Sequence, residues 1–269
     1  SNYYSLSTPA YEKYKGLRRK TRLLILAAWV FNRNWRHRLL QKLYYPASLC
    51  VLQNLHVSCN TRILDVGCGQ GHKFLYPLAD LGFTNLLGCD PFVDEDVNYP
   101  NGLQIRKASI FDIKGTWNVI TYHHAFEHVT NPLENLQKVY DLLADDGVCI
   151  LRMPTVSSYA WKIYRTNWVQ LDAPRHLYLH SVTSLELLAA KAGLSVFRIE
   201  YDSTYKQFAD SERYIAGETL RQERPKGLAH FVERKLKKLR FTRLARKLNA
   251  DKMGDQAAFF LRKTKQHTP

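Results

Sequence analysis

Short apolar runs alternate with amphipathic stretches through the middle of the chain. Arg62-Ile63-Leu64-Asp65-Val66-Gly67 is an apolar run that stops at a glycine, the pattern of a buried strand ending in a turn. The spacing predicts a helix over residues 72–81, closed by Gly82. Strands follow over Asn85–Cys89, Leu103–Lys107 and Asn118–Tyr122. Pro132 opens a helix at the favoured first position, with Leu133, Leu136, Val139, Tyr140 and Leu143 at helical spacing. Gly147–Met153 reads as a fifth strand, stopped by Pro154. Thr183-Ser184-Leu185-Glu186 reads as a capping box before a helix over Leu185–Ala192, which Gly193 ends. Val196–Tyr201 and Ala257–Arg262 are the last strands. Such alternation predicts a mostly parallel sheet with helices on both faces. Two segments interrupt it: residues 155–182, rich in aromatics and histidine, and residues 202–253, basic and helical.

Composition narrows the class. At 269 residues, with 45% hydrophobic and 23% charged, the chain is an ordinary globular sequence and neither disordered nor collagen-like. The longest unbroken apolar run, Leu23–Phe31, has nine residues, too few to cross a bilayer. The formal charge of +15 is concentrated. Residues 12–42 hold ten Lys/Arg against one acid, and residues 213–250 hold twelve against three, which leaves the rest slightly acidic. The reading is therefore a basic helical region over 1–58 and a main domain over 59–269, with insertions at 155–182 and 202–253. Five cysteines, an odd number without any C-x-x-C pair, predict a reducing, cytoplasmic setting. Arg18–Phe31 has the charge and apolar order of a leader, but no small-residue cleavage site follows, so secretion is not expected.

Asp65-Val66-Gly67-Cys68-Gly69-Gln70-Gly71 carries the first chemistry. A dinucleotide fingerprint needs a glycine at position 72, where this chain has His72. A Walker loop fails as well, for want of G-K-[S/T]. An acid two residues before the first glycine would repel a pyrophosphate and suits a ligand with an ammonium group. S-adenosylmethionine has one, together with a sulfonium. Glycines let the backbone approach such a ligand closely. Asp90, followed by Pro91, stands after the second strand, where a carboxylate can accept from both ribose hydroxyls. Phe111 and Asp112 follow the third, placed to stack on an adenine and accept from its amine.

Ile63–Gly71, Asp90, Asp112 and Asp146-Gly147 together resemble the class I S-adenosylmethionine-dependent methyltransferases, over residues 62–201 and 254–262. That resemblance implies a Rossmann-like, seven-stranded α/β sheet whose last strand, in 254–261, is antiparallel. The cofactor positions it implies are Asp65, Gly67, Cys68, Gly69, Gly71, Asp90, Pro91, Phe111, Asp112 and His123, with S-adenosylhomocysteine as product. His124-Ala125-Phe126-Glu127-His128-Val129 is similar to the H-x-x-E-H-V segment of a subgroup associated with bacterial surface glycans, and close to quinone O-methyltransferases. Trp168-Val169-Gln170-Leu171-Asp172-Ala173-Pro174-Arg175-His176-Leu177-Tyr178 is similar to the same subgroup's W-x-x-x-D-x-P-R-H-L-Y signature.

Methyl transfer to a hydroxyl needs alignment and a base, and imidazole suits that task at neutral pH. His176 and His124 are the candidate bases, with Asp172 to orient one of them. Arg175, Tyr178 and Trp168 are candidates for the acceptor side, Arg175 for a carboxylate or phosphate. His128 reads more simply as a turn residue. Glu127 with one or two histidines is an incomplete ligand set, so no metal is expected.

The expected activity is O-methylation of a sugar hydroxyl on a bacterial surface glycan or its glycolipid precursor. A lipophilic phenol such as a quinone precursor, an RNA, and a non-catalytic adaptor are the alternatives. Nucleic acid is the weaker partner, because the basic segments interleave few aromatics. Residues 227–248 predict a pair of basic amphipathic helices with a break near Phe241-Thr242. With residues 12–42, they predict contact with an anionic membrane at the inner face of the plasma membrane, or simple packing on the domain.

Overall fold

The computed structural model describes residues 17–31, 46–220 and 227–264. Eight strands form one sheet: β1 (Ile63–Val66), β2 (Leu86–Cys89), β3 (Val97–Asn98), β4 (Gln104–Arg106), β5 (Trp117–His123), β6 (Leu143–Pro154), β7 (Leu194–Tyr201) and β8 (Gln256–Lys263). Their spatial order is β3-β4-β2-β1-β5-β6-β8-β7. The pairs β4/β2, β2/β1, β1/β5 and β5/β6 are parallel. β8 runs antiparallel between β6 and β7, as the family resemblance implies. The eighth strand is the two-residue edge β3, antiparallel to β4; it is too short to leave a period in the sequence.

The helices are α1 (Leu17–Phe31), α2 (Ala47–Cys50), α3 (Leu75–Asp80), α4 (Pro132–Leu142), α5 (Tyr159–Tyr164), α6 (Val182–Lys191), α7 (Lys206–Ile215) and α8 (Leu228–Ala250). Buried side chains fall into two layers, one on each face of the sheet. Leu136, Val139, Leu185 and Ala189 cover one face; Leu26, Val30, Leu75 and Leu78 cover the other. Adjacent residues of β8 serve both, Phe259 in the first layer and Phe260 in the second, each without exposed surface. That alternation is the period of a strand covered on both sides.

Three expectations shift. The helix at 182–191 is capped by Ser181, not by Thr183: the Ser181 hydroxyl accepts from the Ser184 amide at 3.0 Å. The Ser181 backbone is extended, as a capping residue requires, whereas Thr183 already lies in the helix. The predicted helix pair at 227–248 is one continuous helix, α8. Phe241 causes no break because it packs inward with Ala245 and Leu248, against Phe208, Tyr164 and Trp168. The apolar side of α1 is also committed to the core, with Ile25, Leu26, Ala28 and Val30 buried. The remainder of the basic stretch at 32–42 lies outside the described residues.

Residues 202–255 leave the sheet after β7 and return to it at β8, and the two ends are clasped. The Asp202 amide donates to the Gln256 carbonyl at 3.3 Å, and Gln256 Nε2 donates to Asp202 Oδ1 at 2.6 Å. Ser203 and Asn249 exchange two further bonds, at 3.2 and 3.0 Å. Gly254 is required there, because a Cβ would stand 2.4 Å from Asn249 Oδ1 and 2.6 Å from Ser203 Oγ. Among the described residues no helix is long and apolar enough to cross a membrane.

Replacing Phe260 by alanine removes a ring that is fully buried in the sheet, and should lower stability by about 3–5 kcal/mol. Urea titration of the two proteins measures it. A change below about 1 kcal/mol would mean that β8 is not central to the core.

Candidate functional site

The site lies at the carboxyl ends of β1, β2, β5 and β6, where an open α/β sheet places its ligand crevice. Gly67, Gly69 and Gly71 all take positive φ, and the loop they form crosses close to the end of β5. At Gly67 a Cβ would stand 2.4 Å from the Cβ of Ala125, so the turn admits no side chain. The Gly69 amide donates to Asp90 Oδ2 at 2.8 Å, and the Phe92 amide donates to Oδ1 at 2.9 Å. Asp90 therefore fastens the glycine loop to the end of β2, with its second lone pairs left for other donors. Pro91 and Phe92 beyond it are exposed.

Asp65 is 2% exposed and accepts from the Thr121 hydroxyl at 2.7 Å. Burial pushes its carboxyl up to about 7, and the Asp90 charge adds to the rise. A buried acid raised in this way gains most from a cationic partner. The donor set thus fits the ammonium end of S-adenosylmethionine, and the tight glycine turn fits its close approach. Cys68 shares this environment; burial raises its thiol well above the ordinary value, so it stays protonated. Phe111 is half exposed beside the loop after β4. Asp112 accepts from the Ser109 hydroxyl at 2.7 Å and amide at 2.9 Å, which hold its carboxyl below the ordinary value.

The β5 end carries the rest. His123 packs on Phe74 with ring centres 4.6 Å apart, and both its ring nitrogens are buried without a partner among the described residues. Burial keeps it neutral, well below its ordinary pKa. His124 turns out of the strand with φ of 53°. Its Nε2 accepts from Arg152 Nη1 at 2.8 Å, and its Nδ1 faces Glu127 Oε1 at 3.5 Å. Arg152 is in turn held by Asp202, to which its Nε donates at 2.6 Å. Because Arg152 donates to Nε2, the His124 proton resides on Nδ1. Neither nitrogen is then open to an acceptor, which counts against His124 as the base.

The second motif docks on the first. The Glu127 carbonyl accepts from the amides of Leu177 at 2.9 Å and Tyr178 at 3.2 Å. The His128 ring donates from Nδ1 to the Arg175 carbonyl at 2.8 Å, so it joins the two motifs instead of serving only its own turn. His176 is thereby brought over Glu127. Its Nδ1 donates to the Gln170 carbonyl at 2.7 Å, which leaves Nε2 as the basic nitrogen. Nε2 stands 3.9 Å from Glu127 Oε1 and 3.8 Å from Asp172 Oδ2. Burial lowers the His176 pKa, with Glu127 opposing, so the ring is neutral at pH 7. Burial likewise works against the charge of the wholly enclosed Glu127, but His124 and His176 hold its carboxyl below the ordinary range.

Asp172 also binds the Arg175 guanidinium, its Oδ1 accepting from Nε at 3.2 Å. Arg175 and the half-exposed Tyr178 are at the surface of the site. Trp168 is not on the acceptor side: it has no exposed surface, and its Nε1 donates to buried Asp255 at 3.1 Å. Its place in the signature made it a candidate, but burial makes it the anchor of the segment. A cavity of about 600 Å³ opens beside Arg175, lined by Thr166, Asn167, Tyr214, Glu218 and Thr219 among others. Arg152, Asp202 and Thr121 escaped the sequence reading. A charged residue in the otherwise apolar Val148–Met153 run was the available signal for Arg152.

A family model described as a methyltransferase domain matches residues 27–199. A ubiquinone biosynthesis O-methyltransferase of Psychrobacter arcticus is 28% identical over 171 residues, covering 55% of this chain and 65% of that protein. The chain thus spans about 65% of the length of the curated relative it matches. Among solved structures, an S-adenosylmethionine-dependent methyltransferase of Thermotoga maritima, described as a possible histamine N-methyltransferase, aligns with TM-score 0.51 and 16% identity, over 89% of this chain and 99% of that one. A mycolic acid cyclopropane synthase aligns with TM-score 0.50 and 17% identity, over 90% and 98%. These two likenesses concern the fold.

An ammonium ligand binds best to ionised Asp65, which holds a proton below about pH 7. Affinity for S-adenosylhomocysteine should therefore fall on acidification, by roughly 10–30-fold between pH 7.5 and 5.5. In Asp65→Asn the affinity should be weak and flat with pH. Calorimetric titration across that range decides it, and a flat profile for the native chain would remove Asp65 from the amine site.

Proposed function

The chain belongs to the methyltransferase-domain family, and on that premise we propose that it is an S-adenosylmethionine-dependent O-methyltransferase whose general base is His176. The observation that carries this reading is one hydrogen bond of that ring: Nδ1–H is committed to the Gln170 carbonyl, which leaves Nε2 as the basic nitrogen. A hydroxyl acceptor must lose a proton as its oxygen attacks, and in this reading Nε2 receives it. Bound at the glycine loop, S-adenosylmethionine supplies an electrophilic methyl and leaves as S-adenosylhomocysteine. The chain's own residues do the rest. Asp65 holds the amino end, and Asp90 fixes the loop and accepts from the ribose. Glu127, enclosed beside His176, stabilises the imidazolium as the proton arrives, and Asp172 shares that task from the other side.

The acceptor we propose is a glycan hydroxyl, on a surface polysaccharide or its glycolipid precursor. The cavity beside Arg175 supports it, for hydroxyl, amide, phenol and carboxylate groups stand among its walls together with Leu220. A second reading, a phenolic quinone precursor, is favoured by the name of the Psychrobacter relative.

Incubation with labelled cofactor and a panel of nucleotide sugars, glycolipid extracts, quinone precursors and RNA separates these acceptors. With the acceptor found, His176→Ala should lower kcat by roughly 10²–10⁴-fold and leave cofactor affinity within about twofold. A fully active variant would end the assignment of His176 as base.

A further inference from the structure

We propose that the first half of α8, residues 228–240, is a docking arm for an anionic lipid bilayer. The inference rests on burial and charge alone and does not depend on the methyl-transfer reading.

α8 carries two apolar stripes. Phe241, Ala245 and Leu248 are buried against α5 and α7. Val232, Leu236 and Leu239 repeat the same i, i+4, i+7 spacing nine residues earlier. Nine positions are about two and a half helical turns, so the second stripe faces away from the first. It has nothing beneath it: Val232, Leu236 and Leu239 are 46%, 61% and 57% exposed, and Phe231 is 47% exposed. Every described side chain from His230 to Arg240 is exposed; one side of this half borders a groove with Tyr205 and Ala209, and the Val232–Leu239 stripe lies uncovered.

The charges choose the occupant. α8 holds eight Lys/Arg against one acid, Glu233. Lys235 lies 5.3 Å from the centre of the Phe231 ring, so cation and apolar group share one face. A second copy of the chain would bring this cationic helix against its own like charge. Nucleic acid would satisfy the cations but leave three aliphatic side chains in water, with one aromatic ring to stack on. A bilayer with anionic headgroups satisfies both, with cations at the phosphates and the apolar stripe among the acyl chains. α1 offers no equivalent, because its apolar side is in the core.

The arm is tied to the site. It shares α8 with the Phe241–Leu248 stripe that packs on Trp168, the anchor of the segment bearing His176. The groove between α7 and the arm and the cavity beside Arg175 both include Glu218 in their walls.

The test is co-sedimentation of the full chain with phosphatidylcholine vesicles, with and without 30% phosphatidylglycerol. The native chain should pellet with the anionic vesicles and not with neutral ones. Replacing Lys235, Lys237, Lys238 and Arg240 by glutamine should reduce partitioning at least roughly tenfold. Leu236→Ser with Leu239→Ser should reduce it by a similar factor, with no loss of charge. All six side chains are exposed, so the fold should survive, and S-adenosylhomocysteine binding by calorimetry checks that on the same preparations. In Phe231→Trp, indole emission should shift to the blue on anionic vesicles only. Failure to pellet, an unshifted indole, or undiminished binding by the serine variant would overturn the proposal. The last result, together with binding of RNA that the glutamine variant loses, would make the arm a polyanion site instead.

Discussion

One main-chain carbonyl organises the site. The oxygen of Glu127 takes the amide protons of both Leu177 and Tyr178, and so fixes the segment after β6 to the end of β5. Together with the His128 bond to the Arg175 carbonyl, this pair of hydrogen bonds joins the two histidine-bearing motifs. With it, the Glu127 side chain is sealed from water between His124 and His176. A carboxylate placed there is costly: neither oxygen has a hydrogen-bond partner among the described residues, and its polar neighbours are His124 at 3.5 Å and His176 at 3.9 Å. In the chain Asp202–Arg152–His124–Glu127–His176 an ion pair leads into a histidine, a carboxylate and a second histidine, and each group has its neighbour within 4 Å. Rigidity of this kind suits a reaction that is chiefly one of alignment.

The cofactor side obeys a different logic. There the polypeptide brings two carboxylates together, Asp65 and Asp90, and gives them unequal surroundings. Asp90 receives two backbone amides, whereas Asp65 receives one hydroxyl and is raised by burial. The first is structural cement for the glycine turn. The second is a poised charge, costly until a cation meets it. Both follow from strand ends that terminate in acid and from a turn that only glycine can make beside Ala125.

Much of this was legible in the residues. The order of strands and helices follows from short apolar runs punctuated by glycine and proline, and the glycine spacing with its preceding acid excluded a dinucleotide. His176 was identifiable from its motif. Its tautomer was not, because that depends on Gln170 folding back to offer a carbonyl. Trp168 illustrates the opposite limit: aromatic character signals either a pocket wall or a core residue, and burial beside Asp255 decided between them. Arg152 pairs with a residue fifty positions away, and no local pattern encodes that. In α8 the two apolar stripes on opposite sides cancelled in the sequence pattern and suggested a break. The helix is continuous because each half answers to a different environment.

The clasp between Asp202 and Gln256 has a wider meaning. An excursion whose ends are fastened to each other closes its loop at the sheet, whatever lies between. The entropy of closing such a loop grows only with the logarithm of its length, about 0.6 kcal/mol for each doubling. Extra residues at the excursion's exposed turn around Gly217 therefore cost little, while Phe208, Phe241 and Leu248 stay packed against Trp168 and β8 keeps its register between β6 and β7. Insertions at that turn would reshape the walls of the cavity beside Arg175, which Gly217 and Glu218 line, and leave the strands beneath unmoved.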